Sequence, residues 1–176
     1  MPSIPLPDPP LADPPVTLRP FADEDVERVY QACQDEEIGR FTATLPSPYR
    51  RADAAGWIAA HDSLRLDGTG LDLAIDLDEI GLAGAIALTT FDWNAATARI
   101  GYWVAPWARG RGAATTALRL LSEYGLQVLG LRSIALDTAL ENRASQRVAV
   151  KAGYAHVGIV DDIHGKFPAV RRYHRP

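Results

Sequence analysis

Between Leu71 and Thr138 the hydrophobic period changes twice, and this limits the fold more than any other feature of the chain. Leu71, Leu73, Ile75 and Leu77 alternate with Asp72, Ala74, Asp76 and Asp78, the period of two that marks a half-buried strand. Ile80 to Thr90 and Thr97 to Val104 read as two further strands. Turns rich in Asp, Asn and Gly join them, which predicts an antiparallel meander. Ala114, Ala117, Leu118, Leu121, Gly125 and Val128 then fall at helical spacing, and Ser133 to Thr138 returns to a strand. A strand–helix–strand unit makes its two strands parallel, with a right-handed crossover. The chain must therefore build an α/β fold around a mixed sheet, mostly antiparallel but parallel at one junction, with helices on both faces.

The flanking segments fit that frame. Val16 to Phe21 reads as a first strand, and Asp23 and Glu24 open a helix to about Cys33 with acidic residues in its first turn. Pro46 and Pro48 mark a loop, and a second helix is expected from about Asp53 to Leu66, ended by Asp67-Gly68. Asn142 to about Ala152 looks helical, and Tyr154 to Val160 and Val170 to His174 are candidate closing strands. Seven of the first fifteen residues are proline. Proline disfavours helix and central strand, so residues 1–15 are expected to form a disordered or extended tail before one domain over 16–176.

Composition narrows the function classes. The 176 residues are 47% hydrophobic and 23% charged, as for one globular domain. No apolar run has the length of a membrane span, and the N-terminus lacks the pattern of a signal peptide. Cys33 is the only cysteine, which excludes an internal disulfide and makes a reducing cytoplasm the default compartment. A net charge of −4 argues against nucleic-acid binding, which needs clustered cations. His61, His156, His164 and His174 show no metal-ligand spacing.

The most informative stretch runs from Ile100 to Ala114, where a strand ends, a glycine-bearing loop follows and a long helix begins. Helix N-termini expose unpaired N–H groups and a partial positive charge, and glycine lets a ligand approach the backbone closely. The segment Arg109-Gly110-Arg111-Gly112-Ala113-Ala114 is thus a candidate diphosphate site; a tight turn with solvated arginines has the same spacing. A P-loop is excluded because no lysine follows the glycines. A dinucleotide site would use Gly110 and Gly112, with Asp137 near a ribose, but Thr115 stands where its third glycine belongs and an antiparallel meander precedes it.

Arg109-x-x-Gly112-x-Ala114 resembles the Q/R-x-x-G-x-G/A signature of the GNAT acetyltransferases, with Val104 and Pro106 at the matching upstream positions. Asn142-Arg143-Ala144-Ser145, then Val148, Lys151, Gly153 and Tyr154, is similar to the Asn-x-x-Ser … Lys-x-Gly-aromatic segment of their RimJ/RimL-type branch. Leu18-Arg19-Pro20-Phe21 with Asp25-Val26 resembles that branch's opening. The resemblance covers about Val16 to Tyr173. It implies acetyl-CoA as co-substrate, no metal, and direct acetyl transfer to a primary amine, either a protein N-terminus or a small molecule. Homodimers recur among similar proteins. A noncatalytic acyl-CoA-binding module is the alternative.

The resemblance also implies roles for single residues. The amides from Arg109 to Ala114 would hold the diphosphate, with Arg109 and Arg111 adding charge. Trp103 and Val104 would pair with the pantetheine arm, and an N–H near Val104 would face the developing oxyanion. The parallel strands would splay there, with Gly101 as a candidate bulge. Many GNAT members carry an acidic tyrosine where Ala149 stands here, so Ser145 becomes the candidate donor to the leaving thiolate, with Tyr154 a weaker one. Asn142 fits the cofactor or an N-cap, and Arg147 fits the 3′-phosphate or solvent. Asp92, Glu36 and Glu37 are candidate bases, and Thr116 occupies a region where many branch members carry a Glu. The loops Phe41–Arg50 and Thr90–Ala96, with Phe41, Tyr49 and Trp93, are expected to wall the acceptor side.

Overall fold

A computed structural model describes residues 1–42 and 44–176; Ala43, inside one loop expected to border the acceptor, lies outside the described residues. The elements are β1 (Leu11–Asp13), β2 (Val16–Arg19), α1 (Val26–Ala32), α2 (Glu36–Phe41), α3 (Arg51–Leu66), β3 (Gly70–Leu77), β4 (Gly81–Asp92), β5 (Thr97–Val104), α4 (Ala113–Gln127), β6 (Ser133–Ala139), α5 (Arg143–Lys151), β7 (Ala155–Val160) and β8 (Val170–Arg175). They form one eight-stranded sheet in the order β1-β2-β3-β4-β5-β6-β8-β7. Every neighbouring pair is antiparallel except β5 and β6. That is the mixed sheet the two period changes predict.

Both faces of the sheet are covered. On one face, Leu71, Leu73, Ile75 and Leu77 of β3 lie with Leu118 and Leu121 of α4 in the larger core cluster. Each fully buried leucine there contributes about 2 kcal/mol. On the other face, Ala74 and Leu82 lie with Val29 of α1 and Ile58 of α3. The alternate side chains of β3 therefore face a helical layer rather than water. A partly buried ion cluster ties that layer to the strands: Arg19 reaches Asp25 at 2.7 Å and Asp76 at 2.9 Å. Burial opposes ionisation of Asp25, yet the Arg19 guanidinium and the Ala22 N–H hold its carboxyl below the usual range.

Two elements had no counterpart in the sequence reading. Strand β1 lies inside the proline-rich segment, and helix α2 is capped by Asp35, which accepts from the Ile38 N–H at 3.0 Å. Part of the first fifteen residues packs against the rest of the domain. Ile4 is fully buried, and its N–H donates to the Arg65 carbonyl at 2.9 Å while Arg65 Nη1 returns to the Ile4 carbonyl. Tyr124 Oη donates to the Pro5 carbonyl. Gly68 makes this possible: a Cβ there would stand 2.2 Å from the Pro2 carbonyl oxygen. Proline is compatible with such an edge because an edge strand leaves some N–H positions unpaired.

β5 and β6 pair only from Thr97 with Ser133 to Arg99 with Ala135, and beyond that point they part. Gly101 is not a bulge. Pairing with β4 runs unbroken from Gly84 with Val104 to Thr89 with Arg99, and the irregularity falls between Thr89 and Asp92, where Thr90 has φ 51°.

Ile4→Ala should cost about 2–4 kcal/mol in urea unfolding. Asp25→Ala, which leaves Arg19 with Asp76 alone, should cost about 1–2 kcal/mol.

Candidate active site

The parting of β5 and β6 opens a cleft of about 1190 Å3. On one side of it stand the end of β5, the loop to α4 and the start of α5. On the other stand α2, α3 and the segment before β8. Ala105 N–H donates to the Ala83 carbonyl at 2.8 Å. Main-chain groups alternate direction along an antiparallel ladder, so those of Tyr102 and Val104 face away from β4, toward the missing β6 partner. The Val104 N–H is thereby aimed into the gap. Trp103 is not placed for the same role. Its main chain faces β4, while its side chain joins the cluster on the α1–α3 face.

The loop after β5 presents amides. Gly112 adopts φ 79° as the N-cap of α4, with no side-chain cap, a conformation that strains any residue with a Cβ. Its carbonyl accepts from Thr115 and Thr116. Among the described residues, the amides of Gly110, Arg111, Gly112, Ala113 and Ala114 have no partner. Five unpaired donors at the N-terminus of a fifteen-residue helix form a site for an anion. The two arginines differ from expectation. Arg109 is neutralised by Asp35 at 2.6 Å and Glu37 at 3.1 Å, so it braces α2 against the loop. Arg111 is exposed and outside the cleft lining.

Ser145 and Asn142 meet at the start of α5. Asn142 Oδ1 accepts from the Ser145 N–H at 3.0 Å, which caps the helix. The Ser145 Oγ lies 2.9 Å from Tyr102 Oη. Burial pushes the Tyr102 hydroxyl up to about 12, against the pull of the Ser145 hydrogen bond, so Tyr102 keeps its proton at neutral pH. Tyr102 was not among the residues singled out from the sequence. Its signal was the alternation of β5, which puts it between Ile100 and Val104 on the face toward α5. Tyr154, by contrast, is buried and paired with Ser122 Oγ at 2.6 Å, a core tyrosine rather than a cleft group. Arg147 is exposed at the cleft rim.

The acids sort differently from the sequence reading. Asp92 is exposed, and its Oδ1 accepts from the Asn94 and Ala95 amides in the turn before β5. Glu36 is exposed and outside the cleft lining, and Glu37 is paired with Arg109. Trp93 stacks on Phe91 and donates to the Gly68 carbonyl, away from the cleft, whereas Phe41 and Tyr49 line it. Asp137 also lines the cleft, but its carboxylate is held by Arg99 and by Arg172. Asp72 of β3 also lines the cleft, with a side chain 11% exposed. Burial pushes its carboxyl up to about 6. His61 Nε2 lies 3.8 Å from Asp72 Oδ1, too far for a hydrogen bond. Burial lowers His61 to about 4, against a small opposite pull from Asp62, so the imidazole is neutral and supplies no counter-charge.

A sheet splayed at one parallel pair, with unpaired amides where the following helix begins, defines an acyl-CoA-dependent transferase fold. The acetyltransferase (GNAT) domain family model matches residues 16–155; the chain belongs to that family and is an N-acetyltransferase of it. The "Putative ribosomal N-acetyltransferase YdaF" of Bacillus subtilis is 29% identical over 154 residues, 84% of this chain and 81% of that protein. Mycobacterium smegmatis RimJ, solved with a CoA disulfide, superposes with TM-score 0.78 at 22% identity, over 91% of this chain and 81% of that one. Spermidine N-acetyltransferase from Vibrio cholerae, solved with CoA and spermine, superposes with TM-score 0.76 at 20% identity, over 93% and 96%. No described helix is long and apolar enough to cross a membrane.

The raised Asp72 carboxyl has a consequence for stability. The fold favours the protonated acid, so no penalty exists below the unfolded value of 3.8. The penalty grows as pH rises from there and is complete above about 6. Asp72→Asn removes it. The variant should be more stable than the parent by about 3 kcal/mol at pH 7.5, at 1.36 kcal/mol per pKa unit, with the gain vanishing near pH 3.5 in paired denaturation curves.

Proposed function

We propose that this chain transfers the acetyl group of acetyl-CoA directly to a primary amine, on a protein N-terminus or a small molecule. The observation that carries the reading is the unpaired edge of β5 past Arg99, continuous with the unpaired amides of residues 110–114. A strand edge and an anion cradle in one line fit a long ligand with an amide-bearing arm and a diphosphate. In this reading Gly110, Arg111, Gly112, Ala113 and Ala114 hold the diphosphate through their main chain. Tyr102 and Val104 offer main-chain partners to the pantetheine arm.

The Val104 N–H stabilises the oxyanion that develops when the amine attacks the thioester carbonyl. The leaving thiolate needs a proton. The Tyr102–Ser145 pair supplies it: whichever hydroxyl donates within the pair, the other O–H is free to point into the cleft. Asn142 fixes the turn that carries Ser145. In this reading Arg147, exposed at the rim, reaches the 3′-phosphate. The lone buried cysteine fits a reducing, cytoplasmic setting. A protein N-terminus and a small amine both suit a wide cleft walled by Phe41, Tyr49, Trp57 and Phe167.

Two variants test the halves of the site. Gly112→Val places a β-branched residue at φ 79° and should weaken CoA binding at least tenfold by calorimetry. Ser145→Ala and Tyr102→Phe should each lower kcat about tenfold or more with CoA affinity unchanged, read as thiol release with a panel of amines. CoA binding in the parent protein without acetylation of any amine or peptide would leave only an acyl-CoA-binding module.

A further inference from the structure

The acceptor face of the sheet holds a strip that the mechanism above leaves unused. Asp72 of β3 pairs across to Ala87 of β4, and Ala87 pairs across to Gly101 of β5. The three residues form one row, all on the face toward α1–α3. Two interstrand steps span about 10 Å. The row is low because Ala87 is small and Gly101 has no side chain; a Cβ built on Gly101 meets nothing within 4 Å. Rows on either side are tall, with Trp103 on one flank and Arg99 on the other. The strip thus forms a floor from Asp72 to the point where β5 and β6 part, and all three residues line the cleft.

Among the described residues, the charged side chains on the strands and on α3 beside this floor are engaged or buried, apart from Asp72. On β2, Arg19 is bound to Asp25 and Asp76. On β5 and β8, Arg99 and Arg172 are bound to Asp137. On α3, Asp53 accepts from the Arg50 N–H, and His61 is buried with no hydrogen-bond partner among the described residues for either ring nitrogen. Asp72 accepts no hydrogen bond from any described residue. A carboxylate whose side chain is 11% exposed and has no hydrogen-bond partner among the described residues is costly to ionise, and such a group lining a cleft is a candidate proton acceptor.

We propose that Asp72 is the proton acceptor for the amine substrate, drawing its ammonium along the Ala87–Gly101 floor to the thioester. This rests on the acetyl-transfer reading above. The acceptor enters as R–NH3+. One proton passes through solvent in the cleft to Asp72, giving the carboxylic acid and R–NH2. The nitrogen lone pair forms the C–N bond, the C–S bond breaks, and sulfur leaves with the electron pair. The thiolate takes a proton from the Tyr102–Ser145 pair, which is restored by the second proton shed from nitrogen. Asp72 then returns its proton to solvent, so the sum is amide, thiol and one released proton.

The test is the pH profile of kcat/KM for parent, Asp72→Asn and Gly101→Val proteins, with CoA affinity measured in parallel. The parent should show an acidic limb with its midpoint near pH 6. Asp72→Asn should lose that limb and about 100-fold in kcat/KM at pH 7.5, with CoA affinity unchanged. Gly101→Val, for which the structure has room, should raise KM for the amine at least tenfold without altering CoA affinity. An Asp72→Asn protein with the parent's rate and acidic limb would overturn the role of Asp72 while leaving acetyl transfer intact. A parent profile flat between pH 5 and 7.5 would overturn it even if the variant failed to fold. A parent that binds CoA but acetylates no amine would sink both readings.

Discussion

The structure turns on a strand ladder that stops early. β5 keeps its β4 partner along its whole length but loses β6 after Arg99. Main-chain N–H and C=O groups in a covered sheet need partners, and those of Tyr102 and Val104 have no strand to supply them. The sheet tolerates the opening because it is held shut on either side. Thr97–Arg99 pair with Ser133–Ala135 below, and the Arg99–Asp137–Arg172 cluster links β5, β6 and β8 across the point of departure. The site is therefore a built gap in an otherwise continuous sheet.

Two chemistries are separated by the two faces of that gap. The α4–α5 face carries the amide cradle, Tyr102 and Ser145, which suit a phosphorylated thiol ligand. The α1–α3 face carries Asp72, the low Ala87–Gly101 floor and aromatic walls. Arg109 joins the two, since its backbone belongs to the cradle loop while its guanidinium grips Asp35 and Glu37 beside α2. Strand alternation makes this division, because neighbours such as Gly101 and Tyr102 must point to opposite faces.

Much of this was legible in the chain. The boundaries of β5, at Thr97 and Val104, follow from alternation, and α4 follows from its helical spacing. The cradle is legible because its chemistry lies in the backbone of a local segment, where glycines and a helix start suffice. Strand β1 was not legible, since prolines flank its three residues and only the tertiary structure shows its pairing with β2. Asp72 was hidden for a related reason. The alternation of β3 marks Asp72, Ala74 and Asp76 as the polar side of a half-buried strand, and nothing local says that helices cover that side too.

The sequence by itself determined the order of elements from β3 to β8, the single parallel junction and the glycine-bearing loop before α4, because each rests on periodicity or on neighbours within one segment. Only the tertiary structure decided which side chains share the cleft. Tyr102 meets Ser145 from 43 positions away, Arg109 turns from phosphate to Asp35, and Asp92 and Trp93 fall outside. Those outcomes depend on strand register and on the layer that covers each face, and both are set by packing between segments distant in the chain.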